Sequence, residues 1–199
     1  METRTPDGLF TLLLGAGAGS RFGSAKQLAE YDGQTLLGRA LKTARAVTGS
    51  RSICVIGANA QAMLDELTIN ACAFVLNADW QSGQASSIRA GVRALPTQCR
   101  AVLIWHVDQP LVTVSALGDL ISAWQSAPDA VVAARFAGNI GPPVIFPARL
   151  FTALRELQGD RGGKRLINED DQTRLIDMPA AAFDVDTKAD LAKLDANYT

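Results

Sequence analysis

Residues 12–27 read L-L-L-G-A-G-A-G-S-R-F-G-S-A-K-Q, and the interpretation of the whole chain starts from this stretch. An apolar run leads into three glycines, Gly15, Gly17 and Gly19. Two cations, Arg21 and Lys26, follow them. Glycine tolerates positive φ and lets backbone N–H groups approach an anion, while the cations add charge on the same side. The stretch therefore predicts a buried strand followed by a loop that binds a polyphosphate.

The sequence of this loop matches neither of the two best-known phosphate-binding motifs. No frame across residues 15–23 gives Gly-x-Gly-x-x-Gly, the dinucleotide fingerprint. The Walker loop needs Gly-Lys-Ser or Gly-Lys-Thr, but Ala25 precedes Lys26 and Gln27 follows it. On the loop alone, a flexible glycine turn with two solvated cations is the alternative interpretation.

Length and composition indicate one globular domain. The chain has 199 residues, of which 48% are hydrophobic, and its formal net charge is −1. We predict a single domain over residues 1–199, with residues 1–8 as a flexible tail, because a chain of this length buries a sufficient core without disulfides or metals. A near-zero charge without a block of like charges argues against nucleic acid and against a membrane surface as partners.

The cysteine pattern bears on the cellular compartment. Cys54, Cys72 and Cys99 form no Cys-x-x-Cys pair, which argues against a disulfide framework and a zinc site. The apolar stretch at residues 9–18 is too short and too rich in glycine to span a bilayer, and no basic n-region precedes it. These observations predict a cytoplasmic protein with reduced thiols.

Apolar periodicity predicts strands and helices in alternation. The predicted strands are residues 52–58, 72–76, 101–107, 130–135, 142–147 and 174–176, and the predicted helices are residues 35–47, 82–95, 113–127, 150–157 and 188–194. This alternation is typical of a parallel α/β sheet. Prolines bound the strand at residues 142–147, which favours a position at the sheet edge.

The predicted strand at residues 101–107 stops at Asp108. Ligands of parallel sheets gather at the carboxyl ends of strands, so Asp108 should lie near the glycine loop. Magnesium takes oxygen ligands, often one or two carboxylates plus substrate phosphates. An aspartate that only begins a turn before proline is the alternative. Asp184 and Asp186 alternate on a predicted short strand, and we expect one of them to face the metal and the other to be structural.

Five segments in this order resemble one family. They are residues 15–26, Val107-Asp108-Gln109-Pro110, and residues 141–146, 157–162 and 184–187. The chain resembles the molybdenum cofactor cytidylyltransferases, a branch of the MobA-like NTP transferase superfamily, from about residue 12 to residue 191. In that family Leu-Ala-Ala-Gly leads into Arg-Met/Phe-Gly and then Lys. Residues 14–17, which read L-G-A-G, and residues 21–23 and 26 correspond to these motifs here.

The resemblance implies a fold and a reaction. The fold is a single-domain, three-layer α/β/α arrangement with a Rossmann-like, mostly parallel sheet of the glycosyltransferase-A-like type. The reaction is attack by the terminal phosphate of molybdopterin on the α-phosphorus of CTP, which releases pyrophosphate. Ala16 stands where guanylyl-transferring relatives typically have glycine, so the resemblance favours CTP. A molybdenum hydroxylase or its chaperone is the implied protein partner.

The same resemblance implies the site residues. The catalytic set is Arg21, Lys26 and Asp108, and the metal, Mg²⁺ or Mn²⁺, is held by Asp108 and Asp186. The nucleotide-binding set is Leu14, Gly15, Ala16, Gly17, Gly19, Arg21, Lys26, Gly83, Ser86 and Ser87. Arg21 and Lys26 neutralise the β and γ phosphates, and loop amides bind phosphate oxygens. Such a transfer depends on positioning and charge neutralisation, which fits a sequence without a nucleophile–base pair.

The segment W-Q-S-G-Q-A-S-S, residues 80–87, supplies the last three nucleotide-binding residues. It resembles a family segment in which a helix begins near the nucleotide, and free N–H groups at a helix start suit ribose, base or phosphate. Two alternatives stay open: Ser82 simply caps that helix, and Trp80 belongs to the core.

Two positions depart from the family pattern. The chain has Gly141-Pro142-Pro143 where the family usually shows Gly-His-Pro, so a histidine expected near the acceptor is missing. The only histidine, His106, stands where a small residue commonly precedes the Asp-Gln-Pro step. A lone histidine in an apolar strand is more often a hydrogen-bonded core residue than a ligand, and this is our expectation for His106.

Three alternative functions remain. The first is a nucleotidyltransferase that uses another phosphorylated acceptor, such as a sugar or alcohol phosphate, or that uses GTP. The second is a non-catalytic protein that binds the finished molybdenum cofactor and delivers it. The third is a Rossmann-type reductase, which predicts NAD binding but lacks the glycine fingerprint.

Overall fold

Strands and helices alternate along the chain, as the apolar pattern predicts. The computed structural model describes residues 6–69, 72–159 and 162–198. The elements in chain order are β1 (Leu9–Leu14), β2 (Glu30–Tyr31), β3 (Gln34–Thr35), α1 (Leu36–Thr48), β4 (Ser52–Ile56), α2 (Ala60–Ile69), β5 (Ala73–Leu76), α3 (Gln84–Arg93), β6 (Ala101–His106), α4 (Val114–Ser126), β7 (Val132–Phe136), β8 (Asn139–Pro147), α5 (Phe151–Arg155), α6 (Lys164–Glu169), β9 (Arg174–Asp177) and α7 (Lys188–Tyr198). No helix in these described ranges is long and apolar enough to cross a membrane.

The main sheet has seven strands in the order β5-β4-β1-β6-β8-β7-β9. β1 pairs in parallel with β4 on one side and with β6 on the other, and β9 pairs in parallel with β7. Only β8 runs against its neighbours β6 and β7. β2 and β3 form a separate hairpin. The predicted single-domain α/β fold with a mostly parallel sheet is confirmed.

Both faces of the sheet are covered by helices. Side chains alternate along a strand, so the neighbours Leu12 and Leu13 of β1 point to opposite faces, and both are fully buried. Leu13 packs in a cluster with α1 and α4, whereas Leu12 packs in a second cluster with α3, α5 and α6. Burial on two faces explains why the central strands read as unbroken apolar runs.

The prediction of an edge position for residues 142–147 is wrong. These residues belong to β8, which lies between β6 and β7. The ladder between β7 and β8 shifts register, because Ala133 pairs with Val144 while Ala134 pairs with Gly141. Pro142 and Pro143 fall in this interruption, where the ladder requires no N–H donor from them.

Other local predictions also need correction. Residues 183–187 form no strand, and the segment is fixed instead by a hydrogen bond from the Val185 amide to the Asp108 carbonyl oxygen at 2.9 Å. Residues 1–5 of the predicted tail lie outside the described residues, as do Asp160 and Arg161. Residues 6–8 are tied to the domain, since Arg51 donates to the Pro6 carbonyl oxygen at 2.8 Å.

Candidate active site

A pocket of about 460 Å³ opens at the carboxyl ends of β1 and β6. This is the edge at which parallel sheets place their ligands. The predicted site residues that line it are Leu14, Gly15, Ala16, Gly17, Gly19, Arg21, Lys26, Gly83, Ser87, Asp108 and Asp186. The fold therefore brings together segments from four distant parts of the chain around one polar cavity, which we call the loop pocket.

In the glycine loop, the backbone carbonyl oxygens are hydrogen-bonded to the protein, whereas most of the backbone amides are not. Four consecutive carbonyl oxygens, those of residues 15–18, accept hydrogen bonds from protein donors. Gly15 donates its amide to the Val55 carbonyl oxygen at 2.9 Å. Within the described part of the chain, the amides of residues 16–21 have no acceptor. Such a run of unpaired N–H groups forms an anion-binding concavity.

Gln27 holds the loop in this shape. Its side-chain amide donates to the carbonyl oxygens of Gly15 and Gly17, at 2.7 Å each, and the residue is 3% exposed. The C=O and N–H of one peptide plane point in opposite directions, so drawing these carbonyls toward Gln27 turns the amides of Ala16 and Ala18 away from it. The sequence pattern assigns Gln27 no role, and its adjacency to Lys26 is the only signal that points to it.

Two loop glycines are needed for different reasons. Gly19 has a φ of +65°, and a Cβ on it would lie 2.8 Å from the Ser24 carbonyl oxygen, so the fold itself requires glycine there. Gly17 has a φ that any residue adopts, and a Cβ on it would meet no atom within 4 Å. The absence of a side chain at Gly17 therefore serves the open pocket rather than the packing of the protein.

Lys26 lies between the two predicted metal ligands. Its ammonium is 2.5 Å from Asp108 Oδ2 and 3.1 Å from Asp186 Oδ1. Arg21 binds the other oxygen of Asp186, at 2.9 Å, while its own side chain stays largely exposed. Burial alone would lower the pKa of Lys26, but the combined attraction of Asp108 and Asp186 raises it. The catalytic and metal-binding residues predicted from sequence thus form one ion-pair cluster.

The same cluster fits a hard divalent cation. Asp108 Oδ1 is buried and has no hydrogen-bond partner among the described residues, and the carboxylates of Asp108 and Asp186 already bind a positive charge between them. No group of three or more His, Cys, Asp or Glu residues in the described ranges offers a metal site made of protein alone. Two carboxylates completed by substrate phosphates are the arrangement that Mg²⁺ typically uses with nucleotides.

A third carboxylate, Asp184, adds to the negative charge. Although more than a third of this residue is exposed, partial burial and repulsion from Asp108 raise its pKa to about 6. The expectation that Asp184 is purely structural therefore misses its electrostatic coupling to the site. Protonation of Asp184 near pH 6 relieves repulsion beside the cluster.

The start of α3 forms the opposite wall of the loop pocket. Gly83 and Ser87 of the predicted nucleotide-binding set line the pocket. Half-buried Trp80 lines it too and also packs against the apolar cluster that contains Leu12, so Trp80 belongs both to the pocket wall and to the edge of the core. Ser86, the remaining predicted residue of this segment, is buried, and its hydroxyl donates to the Gly83 carbonyl oxygen and accepts from Asn77.

The helix-capping alternative for Ser82 is wrong. α3 begins at Gln84 with Gly83 as its N-cap, and no side chain caps it. The Ser82 hydroxyl donates instead to Asp79, at 2.7 Å from Oδ2. The amide of Ala85 in the first turn of α3 donates to the Gly159 carbonyl oxygen at 3.1 Å, and the amide of Ser86 donates to the Gly83 carbonyl oxygen at 3.1 Å.

His106 is not a core residue, contrary to expectation. It is the last residue of β6, and its side chain is 24% exposed. Its Nε2 lies 2.6 Å from the Gln84 amide nitrogen, and its Nδ1 lies 3.9 Å from Asp108 Oδ1. Beyond His106 is a second cavity of about 420 Å³, which shares Leu14, Gln84 and His106 with the loop pocket. His106 is therefore part of the wall between two cavities.

Comparison with known proteins agrees with this geometry. The family model of the MobA-like NTP transferase domain matches residues 11–174. The chain is 30% identical over 197 residues to the nicotine blue oxidoreductase of Paenarthrobacter nicotinovorans, covering 92% of this chain and 94% of that protein. It is 27% identical over 172 residues to the purine catabolism protein PucB of Bacillus subtilis, with 80% of each chain covered.

A solved structure is also similar over the whole domain. Rv0371c of Mycobacterium tuberculosis H37Rv is 25% identical, with a TM-score of 0.83 over 98% of this chain and all of that chain. A structure of the same protein in complex with manganese has a TM-score of 0.77 over 95% of this chain and 98% of that chain. A similar protein thus binds a divalent metal.

Proposed function

Because the chain belongs to the MobA-like NTP transferase family and has a nucleotidyltransferase fold, we propose that it transfers CMP from CTP to the terminal phosphate of molybdopterin. The products are the cytosine dinucleotide form of the cofactor and pyrophosphate. The observation that carries the proposal is the glycine loop, where the carbonyl oxygens of residues 15–18 are bound by the protein while the amides are free. A polyphosphate is the ligand that such a loop accommodates best.

The proposed chemistry is a single in-line displacement. An oxygen of the acceptor phosphate forms a bond to the α-phosphorus of CTP, and the bond from that phosphorus to the oxygen bridging to the β-phosphorus breaks. Pyrophosphate leaves with the electron pair of the broken bond. No proton has to move from the attacking phosphate oxygen, so the protein needs no general base and contributes positioning and charge.

The residues of the loop pocket have distinct tasks in this proposal. The amides of residues 16–21 bind phosphate oxygens, while Arg21 and Lys26 neutralise the leaving pyrophosphate. In this structure Lys26 binds the carboxylates of Asp108 and Asp186. In the proposed complex its ammonium binds the phosphates of CTP instead. A divalent cation held by Asp108 and Asp186 would supply further neutralisation of phosphate charge.

Ala16 and the motif set are the features that indicate the nucleotide and the acceptor. Ala16 is 4% exposed and lines the loop pocket, and the family resemblance associates alanine at this position with CTP. The likeness of the whole motif set to molybdenum cofactor cytidylyltransferases supports molybdopterin as the acceptor. A molybdenum hydroxylase or its chaperone is the proposed recipient of the product.

Pyrophosphate release tests this proposal. The purified chain is incubated with Mg²⁺ or Mn²⁺, molybdopterin and each of the four NTPs in turn. We expect release with CTP, less with GTP, and none without molybdopterin. A lack of turnover with every NTP in the presence of molybdopterin would refute the named reaction. Turnover with a sugar phosphate instead would support the alternative acceptor class.

A second candidate function comes from one relative. The nicotine blue oxidoreductase is 30% identical over nearly the whole chain, and its name describes a redox reaction. The candidate is a reductase that binds a pyridine nucleotide in the loop pocket and an electron acceptor in the adjoining cavity. The test is to incubate the chain with NADH or NADPH and a dye as electron acceptor. Oxidation of the nucleotide is measured as the loss of reduced-nicotinamide absorbance. The missing Gly-x-Gly-x-x-Gly fingerprint makes it the weaker candidate.

A further inference from the structure

Gln109 is a buried polar residue that has no task in the proposed chemistry. It follows Asp108 directly and is 4% exposed. Its side-chain amide donates to the Pro142 carbonyl oxygen at 3.2 Å and to the Ala181 carbonyl oxygen at 3.1 Å. A buried amide that binds two backbone carbonyls fixes the segments to which those carbonyls belong. Gln109 thus joins three segments that are distant in the sequence.

The two carbonyl acceptors decide which way the Gln109 amide points. A carbonyl oxygen only accepts hydrogen bonds, so the NH₂ group must face Pro142 and Ala181. In this orientation Oε1 of Gln109 is buried and has no donor among the described residues. The reversed amide would place Oε1 against two carbonyl oxygens and leave all three without a donor. The side chain therefore has one stable orientation.

The bond to Pro142 ties Gln109 to the sheet. Pro142 lies where the ladder between β7 and β8 shifts register, and neither ladder of β8 pairs it with a residue of a neighbouring strand. The regular ladder therefore provides no donor for its carbonyl oxygen, and the Gln109 amide supplies one. Because β8 runs beside β6, this bond holds the turn that follows β6 against a central strand.

The bond to Ala181 ties Gln109 to the segment that carries Asp186. Ala181 belongs to the 3₁₀ turn Pro179–Ala182, and residues 183–187 after it form neither helix nor strand. A segment without a hydrogen-bond ladder of its own depends on bonds to its neighbours for its position. The Gln109 amide provides one such bond just before this segment begins.

A second hydrogen bond crosses between the same two parts of the chain. The Val185 amide donates to the Asp108 carbonyl oxygen at 2.9 Å. Ala181 and Val185 are fully buried, but apolar burial is non-directional and does not fix the segment along the edge of the sheet. The two hydrogen bonds therefore set the position of Asp186 relative to Asp108.

This position matters because Asp108 and Asp186 are the proposed metal ligands. Both carboxylates lie within 3.1 Å of the Lys26 ammonium, so they already face one small space. Groups behind the ligands orient them, and their loss typically weakens metal binding or activity about ten- to a hundredfold. Gln109 lines neither the loop pocket nor the second cavity, so it can act on the site only through the segments it holds.

We propose that Gln109 is a positioning residue for the divalent metal, because its side-chain amide holds the segment of Asp186 where this carboxylate and that of Asp108 bind one cation. This inference rests on the proposed nucleotidyl transfer and adds to it a residue that touches neither substrate. Loss of the Gln109 amide should therefore weaken metal binding and leave the phosphate loop intact.

Gln109→Met tests the proposal on the full chain, because methionine has a similar length and volume but no donor. In the presence of saturating CTP, we expect Mn²⁺ to bind about ten- to a hundredfold more weakly. Electron paramagnetic resonance of free Mn²⁺ measures this. The affinity for CTP without metal, measured by calorimetry, should be unchanged. An unchanged Mn²⁺ affinity would overturn the proposal.

Thr173→Val is the matched control for the loss of a hydrogen bond. The Thr173 hydroxyl also donates to a backbone carbonyl, that of Ile167 at 2.8 Å, and Thr173 lines neither cavity. Both variants should lower the unfolding temperature, but only Gln109→Met should weaken Mn²⁺ binding. Equal losses of Mn²⁺ affinity would show that Gln109 acts only through overall stability, which would contradict the positioning role.

Gln109→Asn is a milder variant that carries the test if Gln109→Met does not fold. It keeps the amide but shortens its reach by one methylene group, so it should weaken Mn²⁺ binding by less than Gln109→Met does. An Mn²⁺ affinity equal to that of the wild type in folded Gln109→Asn would count against the proposal.

Turnover provides a second measurement. The Mn²⁺ concentration that half-saturates pyrophosphate release should rise in Gln109→Met, and excess Mn²⁺ should restore part of the rate. A lower rate with unchanged half-saturation would contradict the positioning role. If the wild type releases no pyrophosphate from CTP but Gln109→Met still weakens Mn²⁺ binding, the proposed reaction fails while the positioning role of Gln109 stands.

Discussion

The loop pocket and the second cavity beyond His106 share a wall but are built from different parts of the protein. The loop pocket presents backbone amides and an ion-pair cluster. The second cavity presents side chains from three strands and two helices. A backbone site recognises phosphate and tolerates many substitutions outside its glycines, whereas a side-chain site changes its ligand whenever a wall residue changes.

The largest expected effect comes from removing the charge of Asp108 in the loop pocket. Asp108→Asn should lower nucleotidyl transfer roughly a hundred- to a thousandfold, because the cation loses a ligand and Lys26 a partner. We expect the unfolding temperature to change little. Asp119→Asn, on an exposed part of α4, is the matched control. Near-normal pyrophosphate release in Asp108→Asn would remove Asp108 from the catalytic set.

Lys26→Met should have opposite effects on transfer and on metal binding. Transfer should fall roughly a hundredfold, because a charge near the leaving phosphates is lost. Without nucleotide, Mn²⁺ should bind more tightly, because the ammonium no longer occupies the space between Asp108 and Asp186. Electron paramagnetic resonance of free Mn²⁺ measures this, with Lys42→Met on the exposed face of α1 as control. Weaker Mn²⁺ binding would contradict the assignment of these carboxylates.

Gln27→Leu should damage the loop pocket and leave the rest of the fold intact. The change leaves the Gly15 and Gly17 carbonyl oxygens without their donor, at a cost of about 1–3 kcal/mol each. CTP affinity should fall about ten- to a hundredfold, while thermal unfolding stays cooperative. Gln125→Leu, on the exposed side of α4, controls for the lost amide. Loss of cooperative unfolding in Gln27→Leu would mean that Gln27 supports the whole fold.

Gly17→Ala isolates the space needed by the nucleotide. The new methyl group meets no protein atom within 4 Å, so the unfolding temperature should not fall. CTP should bind about tenfold more weakly, because the methyl group stands where phosphate approaches the loop. Gly118→Ala is the matched control, since a Cβ there also meets nothing within 4 Å. CTP affinity equal to that of the wild type would show that phosphate binds elsewhere.

The smallest expected effect concerns Asp184 and pH. Its pKa in the folded chain is about 6, above the ordinary 3.8, so the folded state binds this proton more tightly than the unfolded state. This contribution makes the fold more stable as the pH falls from 6 toward 4. Asp184→Asn should therefore be slightly more stable than the wild type at about pH 7, and the difference should shrink near pH 5. Thermal unfolding at both values measures it, and a constant difference would contradict the coupling.

The sequence is most informative where function depends on local pattern. The apolar run of β6 ends just before Asp108, so the pattern alone predicts this aspartate at the carboxyl edge of the sheet. The glycine loop is identified in the same way. The motif set places Lys26, Asp108 and Asp186 in one site, but the direct ion pairs between them are not predicted, because the partners of Lys26 lie 82 and 160 positions away along the chain.

Predictions from local sequence patterns are wrong where tertiary contacts override the local preference. Proline favours an edge strand, yet β8 is central because a register shift in its pairing with β7 accommodates both prolines. His106 fits the pattern of a core residue, yet β6 ends where two cavities begin. Gln27 carries no signal of its own, because its role depends on the direction of two carbonyl groups that only the folded loop defines.

The most direct test of the central claim follows the phosphorus atoms of CTP. The protein is incubated with molybdopterin and CTP carrying radioactive phosphorus at either the α or the γ position, and the products are separated. We predict that the α label appears in a cytosine dinucleotide and the γ label in pyrophosphate, and that Asp108→Asn greatly slows the appearance of both. If neither label leaves CTP while molybdopterin is present, the chain does not perform the proposed transfer.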